Sequence, residues 1–110
     1  MLLKAGVDIS RLRPEIRKKL NAINQVYVQI GESEMVVTST YEGNHSPGSL
    51  HYANLAIDLR LPANYKRVAR AIQTVLGSDY DVVIETSHIH IEYDPKGGER
   101  NGTNTSGNRN

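Results

Sequence analysis

The sequence contains no cysteine, tryptophan or phenylalanine, so its six tyrosines are its only aromatic residues. Without cysteine the chain can form no disulfide, no thiolate zinc site and no thiol nucleophile. Any metal ion would have to be bound by histidine and carboxylate side chains. The absence of cysteine therefore narrows the possible chemistry before any motif is considered.

An excess of charge of one sign is also missing, because 13 basic residues stand against 12 acidic ones and give a formal net charge of +1. Such a chain has no long-range field to attract nucleic acid or anionic lipid. No apolar run approaches the roughly 20 residues that cross a bilayer, and the first residues do not form a signal peptide. We therefore expect no nucleic-acid or membrane partner, and synthesis in the cytoplasm without an export signal of its own. We further expect a monomer.

The last part of the chain has no apolar side chain suited to a core. Residues 95–110 contain no Ala, Val, Ile, Leu, Met or Tyr, so they cannot offset the entropy of ordering. The sequence predicts a folded domain over residues 1–94 and a disordered polar tail over 95–110. A domain of that size has a small core, and a bound metal ion is a plausible contribution to its stability.

Two amphipathic helices are predicted. Pro14 suits a first turn and Gly31 an end, which predicts a helix over residues 12–30. Pro62 opens the second helix and Gly77 ends it. The apolar stripe of the first helix consists of Leu12, Ile16, Leu20, Ile23, Tyr27 and Ile30. The apolar side of the second consists of Val68, Ala71, Ile72, Val75 and Leu76.

Four short segments read as strands, namely 35–40, which is rich in β-branched residues, and 55–60, 80–85 and 88–93. A Gly- and Pro-containing loop over 42–49 follows the first of them. The order helix, strand, strand, helix, strand, strand predicts an α+β fold. We expect a small single domain with a central antiparallel sheet of about four strands and two helices packed on it.

All four histidines fall into two pairs, and each pair adjoins a predicted strand. The first pair is His45 with His51, and the second is His88 with His90. His88 and His90 are two residues apart, so on a strand both imidazoles project from one face. Strand parity alone does not decide which of these two would bind a metal ion.

His51, Asp58 and one histidine of the second pair would together supply two imidazoles and one carboxylate. That ligand set leaves a fourth tetrahedral position for water, as in catalytic and not in structural zinc sites. His51 precedes Asp58 by seven residues, an odd offset that a bend near Asn54 would have to correct. The sequence thus suggests a hydrolytic zinc site.

The same residues carry a resemblance to a known family. The ten residues SLHYANLAID, from Ser49 to Asp58, resemble the S-x-H-x-x-G-x-A-x-D signature of the Hedgehog/D-alanyl-D-alanine peptidase family of zinc metallopeptidases. His88-Ile89-His90 resembles the H-x-H motif of that family, and the resemblance covers roughly residues 35–94. Where the family has Gly, this chain has Asn54, the residue other than Gly that best tolerates a left-handed backbone conformation.

The resemblance implies a small α+β domain with a central antiparallel sheet and a zinc ion bound by His51, Asp58 and His90. It further implies that His88 and His45 donate hydrogen bonds near the substrate carbonyl. The implied activity is hydrolysis of a peptide bond in peptidoglycan stem or cross-bridge peptides, by a D,D-carboxypeptidase or an endopeptidase. A phage or prophage lysis protein, released to the cell wall by another factor, would suit this size.

Two alternatives concern the catalytic base. Glu85 lies five residues before His90, close to the hedgehog-like placement of a carboxylate, and we favour it. Glu92 competes because it shares strand parity with His88 and His90. An exposed or supporting carboxylate is the simpler interpretation of Glu92.

The substrate and the class of function also leave alternatives. Carboxypeptidases of this family usually have an Arg shortly before the first motif, and Thr38 to Glu42 offer none, so an endopeptidase fits at least as well. Arg60 follows Asp58 too closely to be given that role. The other function classes are a non-catalytic zinc-containing binding module of the hedgehog-like fold and a structural zinc domain.

Overall fold

The computed structural model describes residues 1–41 and 53–95. These residues form a small α+β domain. Its elements in chain order are β1 (Leu2–Leu3), α1 (Pro14–Arg17), α2 (Leu20–Ile30), β2 (Val36–Ser39), β3 (Ala56–Arg60), α3 (Tyr65–Leu76), β4 (Tyr80–Ile84) and β5 (His88–Tyr93). The strands make one sheet in the order β1-β2-β3-β5-β4.

The predicted small α+β domain with a central sheet is confirmed; the sheet has five strands rather than about four, and it is mixed rather than purely antiparallel. The additional strand β1 runs parallel to β2, with Leu2 opposite Val36 and Leu3 opposite Val37. All other neighbouring strands are antiparallel. A strand of two exposed residues has no periodicity, so no local pattern indicates β1.

The predicted helix over residues 12–30 is interrupted between α1 and α2. The Lys19 N–H donates to the carbonyl oxygen of Ile16, three residues back, at 2.9 Å, which makes a tight 3₁₀-type turn. Both linking residues, Lys18 and Lys19, keep right-handed helical dihedral angles. The apolar stripe therefore stays on one side of both segments. Gly31 ends α2 in a left-handed conformation, as predicted.

The helices α2 and α3 contribute to one hydrophobic core with one face of the sheet. That face carries Ile57, Leu59, Ile89 and Ile91, all fully buried. The residues that α3 buries are Val68, Ala69, Ile72 and Leu76. Two residues that were predicted for the apolar side of this helix are not fully buried: Ala71 is partly buried and Val75 is exposed. Successive residues of a strand point to opposite faces of the sheet, so the polar residues of β3 and β5 lie on the face away from the core.

The bend expected before β3 is present at Asn54, which has a φ of 62°. Its carbonyl oxygen accepts a hydrogen bond from the Arg13 N–H at 3.1 Å, so the bend is tied to the start of α1. Asn is among the few non-Gly residues that adopt this left-handed conformation at modest cost. The Asn in place of the Gly of the motif is therefore compatible with the local backbone.

Some of the predictions concern parts of the chain outside the described residues. They are the loop over 42–49 and the tail over 95–110, of which only Pro95 is described. In the described segments, no helix combines the length and the apolar character that crossing a membrane requires.

Candidate metal centre

Sheet register brings two of the predicted metal ligands together. Asp58 in β3 lies directly opposite His90 in β5, and residues paired in this way project from the same face. Asp58 Oδ1 is 3.0 Å from His90 Nδ1. Two ligand atoms of a tetrahedral zinc ion stand about 3.3 Å apart when each bond is about 2.0–2.1 Å. Asp58 Oδ1 and His90 Nδ1 would therefore have to move only slightly farther apart to bind one zinc ion.

The backbone at Asp58 is held from its other side by β2. Thr38 Oγ1 donates a hydrogen bond to the Asp58 carbonyl oxygen at 3.3 Å. Pairing between β2 and β3 shifts between Val37 and Ser39, a bulge-type irregularity beside the candidate ligand. Asp58 thus lies on an inner strand with a neighbour on each side, and only 8% of its surface is exposed.

His88 approaches the same carboxylate from one end. Its Nε2 is 3.6 Å from Asp58 Oδ1, and its Nδ1 is 3.1 Å from the hydroxyl oxygen of Ser87. The structure thus brings Asp58, His88 and His90 together on one face. These contacts leave open which histidine binds the metal ion, and only the resemblance assigns His90.

The other two histidines of the predicted site, His45 and His51, lie outside the described residues. The predicted third ligand and the predicted second hydrogen-bond donor are therefore not placed by the structure. Their roles remain those that the resemblance implies.

Glu85 lies at the turn between β4 and β5. Its N–H donates to the His88 carbonyl oxygen at 2.8 Å, which closes a two-residue loop of Thr86 and Ser87, where the sequence predicted a break. The register pairs Ile84 with Ile89, and its continuation sets Glu85 opposite His88. Opposite residues share a face, so the odd offset along the chain still puts Glu85 on the side of His88. Its side chain is exposed.

Glu92 occupies a different place, on the far side of the His90 ring. Its Oε1 is 2.8 Å from His90 Nε2, the ring nitrogen that does not face Asp58. Glu92 is 7% exposed. It shares the face of His90, as strand parity predicted, and it contacts the predicted ligand rather than lying at the end where Glu85 and His88 meet.

Two further acids stand near Glu92, and sequence reasoning missed both. Carboxylate oxygens of Asp81, Glu92 and Asp94 lie within 4.8 Å of one another. The register signal that could have indicated Asp81 is its position directly opposite Glu92 in β4 and β5. Groups of acids are common on proteins that bind no ion, so this group assigns no ligand.

The two carboxylates around His90 control its protonation. Burial by itself lowers the pKa of His90, but the hydrogen bonds and charges of Asp58 and Glu92 outweigh it and raise the pKa from 6.5 to about 9. In the metal-free protein at neutral pH the ring is therefore an imidazolium that donates to both carboxylates. A metal ion at Nδ1 would have to replace one of these protons.

This elevated pKa predicts how the stability of the metal-free protein depends on pH. A group whose pKa is raised by folding contributes its full stability below its unfolded value of 6.5. That contribution, of about 3 kcal/mol, is lost as the pH rises through the folded value of about 9. Urea unfolding between pH 6 and pH 10 in the presence of a chelator measures it. The His90→Gln variant should show a flatter profile, and parallel profiles of the two proteins would contradict this expectation.

Comparison of the chain with models of known protein families gives no match, and comparison with curated proteins gives none either. The likeness to zinc peptidases therefore rests on the two short motifs alone. Chemically, the arrangement offers a carboxylate and an imidazole for a cation, a second imidazole beside them, and an exposed carboxylate at the end of the hairpin.

Proposed function

We propose that this protein is a zinc-dependent peptidase that hydrolyses a peptide bond in the stem or cross-bridge peptides of peptidoglycan. The observation that carries the proposal is the pairing of Asp58 Oδ1 with His90 Nδ1 at 3.0 Å, with His88 beside them. Both motifs of the resemblance contribute a residue to this pair. The peptidoglycan substrate rests on the resemblance alone.

In this proposal Asp58 and His90 hold the ion, together with His51 as the third ligand. Zinc, when bound, polarises a carbonyl group and lowers the pKa of water at its fourth position. Asp58 is well suited as a ligand because β2 and β5 flank its strand. Its carboxylate therefore needs little reorganisation to bind a cation.

Glu85 is the proposed base. Its carboxylate takes the proton from the attacking water and hands it to the amine of the leaving peptide. Its exposed position at the hairpin end, opposite His88, leaves it accessible to a substrate. His88 lies next to it, with its Nδ1 3.1 Å from the Ser87 hydroxyl oxygen. In this proposal the Ser87 hydroxyl donates to Nδ1, which leaves the ring hydrogen of His88 on Nε2. That N–H is then available to the substrate carbonyl oxygen.

Digestion of purified peptidoglycan by the zinc-loaded protein tests the activity. Mass spectrometry of the soluble fragments would show free D-alanine if the enzyme is a carboxypeptidase, and new internal amine ends if it is an endopeptidase. The Asp58→Asn variant, which keeps the size of the side chain but is a poorer ligand, is the control and should release neither. A zinc-loaded wild-type protein that binds peptidoglycan and releases no fragment would favour the non-catalytic binding module instead.

The His88→Ala variant separates the roles of the two paired histidines. We expect it to retain zinc, because His90 supplies the ligand from this strand, and to turn over substrate more slowly, because the hydrogen-bond donor is lost. Zinc content and turnover are measured on the same preparation. A His88→Ala protein without zinc, next to a His90→Ala protein that keeps it, would mean that the two roles are reversed.

A further inference from the structure

Glu92 belongs to neither motif, yet it is the residue that contacts the second ring nitrogen of His90. We propose that Glu92 is a positioning residue, which keeps the ring hydrogen of His90 on Nε2 so that Nδ1 is the atom that binds the metal ion. This inference rests on the proposed zinc site and deepens it by stating which atom of His90 is the ligand and which residue selects it.

The contact is well placed for this role. Glu92 follows His90 by two residues on β5, so both side chains project from one face. The distance from Glu92 Oε1 to His90 Nε2 is 2.8 Å, a short charge-assisted hydrogen bond. Because Glu92 is buried, solvent competes little for its carboxylate. The strand backbone and the burial therefore fix the acceptor in front of Nε2.

Asp58 and Glu92 each face one ring nitrogen of His90, and an ionised carboxylate can only accept, so the metal-free imidazolium donates to both. A metal ion on the Asp58 side would replace the hydrogen on Nδ1, and the one remaining ring hydrogen would stay on Nε2, in front of Glu92. Nδ1 is the atom that faces Asp58 Oδ1. Metal-binding histidines commonly donate their other N–H to a carboxylate, which orients the ring and strengthens the ligand.

The same geometry argues against Glu92 as the base. The imidazole ring of His90 stands between Glu92 and the pair of atoms that would share the ion. A carboxylate bound to Nε2 stays on the far side of the ring. Glu85 lies in the turn next to His88, at the other end of β5. Among the described residues, no such contact to a ring nitrogen is seen for its carboxylate.

Long-range proton–nitrogen NMR spectra of histidine-labelled protein test the proposal. In the zinc-loaded wild-type protein we expect His90 to carry its hydrogen on Nε2 and to bind zinc through Nδ1. Removing the acceptor in Glu92→Leu should lower zinc affinity, measured against a competing chelator, by about tenfold to a hundredfold. Glu92→Gln keeps an acceptor oxygen and should retain the same tautomer, with an affinity between those of the other two proteins.

Asp81→Asn is the matched control, since it removes one negative charge from the same carboxylate group. It should change zinc affinity by less than about fivefold. Zinc bound to His90 through Nε2, or Glu92→Leu and Glu92→Gln that both bind zinc as tightly as the wild type, would overturn the role of Glu92 alone. Failure of the wild-type protein to take up zinc would overturn the proposed function as well.

Discussion

The Glu85→Gln variant is expected to turn over a peptidoglycan peptide about a hundredfold to ten-thousandfold more slowly than the wild-type protein, with unchanged zinc content. Glutamine keeps the size of the side chain but cannot accept the proton of the attacking water. Because Glu85 is exposed at the hairpin end, where its backbone N–H bonds to His88, the substitution should leave folding intact. Steady-state cleavage rates and elemental analysis of the same sample measure both quantities.

The Glu92→Gln variant is the control for this prediction. Measured at saturating zinc, its turnover should fall by less than about tenfold, since Glu92 acts on His90 and not on the water. If the Glu92→Gln protein is inactive with zinc bound and the Glu85→Gln protein has a nearly normal rate, Glu92 is the base and Glu85 is not.

Asp58→Ala and His90→Ala are expected to abolish both zinc binding and cleavage. Each removes one of three ligands, and the remaining two cannot retain the ion at ordinary concentrations. His90→Ala also leaves the carboxylates of Asp58 and Glu92 without the imidazole that contacts both. Loss of the partner of a buried charge costs several kcal/mol, so this variant should also unfold at a lower temperature.

The conservative pair Asp58→Asn and His90→Gln distinguishes loss of ligand from loss of fold. Both keep a polar side chain of similar size in the sheet, and circular dichroism should show them folded at 20 °C. Zinc content is then determined by elemental analysis after purification in zinc-containing buffer. Stoichiometric zinc in a folded Asp58 or His90 variant would exclude that residue as a ligand.

Local patterns predicted most of the elements. The predicted strand over residues 88–93 coincides with β5, because alternation and a preceding polar turn both mark it. The turn between α1 and α2 was not predictable in this way, since Lys18 and Lys19 are good helix formers and nothing in their sequence marks a break. The strand β1 depends on its pairing with β2 and so on tertiary structure.

In the candidate site, too, some features follow from local sequence patterns and others only from tertiary structure. Strand parity correctly placed His88, His90 and Glu92 on one face. The direct pairing of Asp58 with His90 depends on β3 lying beside β5 rather than β4, which no local signal states. Strand parity does not apply to Glu85, because a two-residue turn brings residues three apart in the chain opposite each other. Asp81 and its approach to Glu92 likewise follow only from the register.

Metal analysis combined with thermal unfolding tests most directly whether this domain binds one zinc ion. The 110-residue chain, purified in zinc-containing buffer and desalted, should contain about one zinc per chain. Chelation should lower its melting temperature, because the ligand set is assembled only in the folded chain. Less than about half a zinc per chain, with a melting temperature indifferent to chelator, would contradict the zinc site and the peptidase proposed on it.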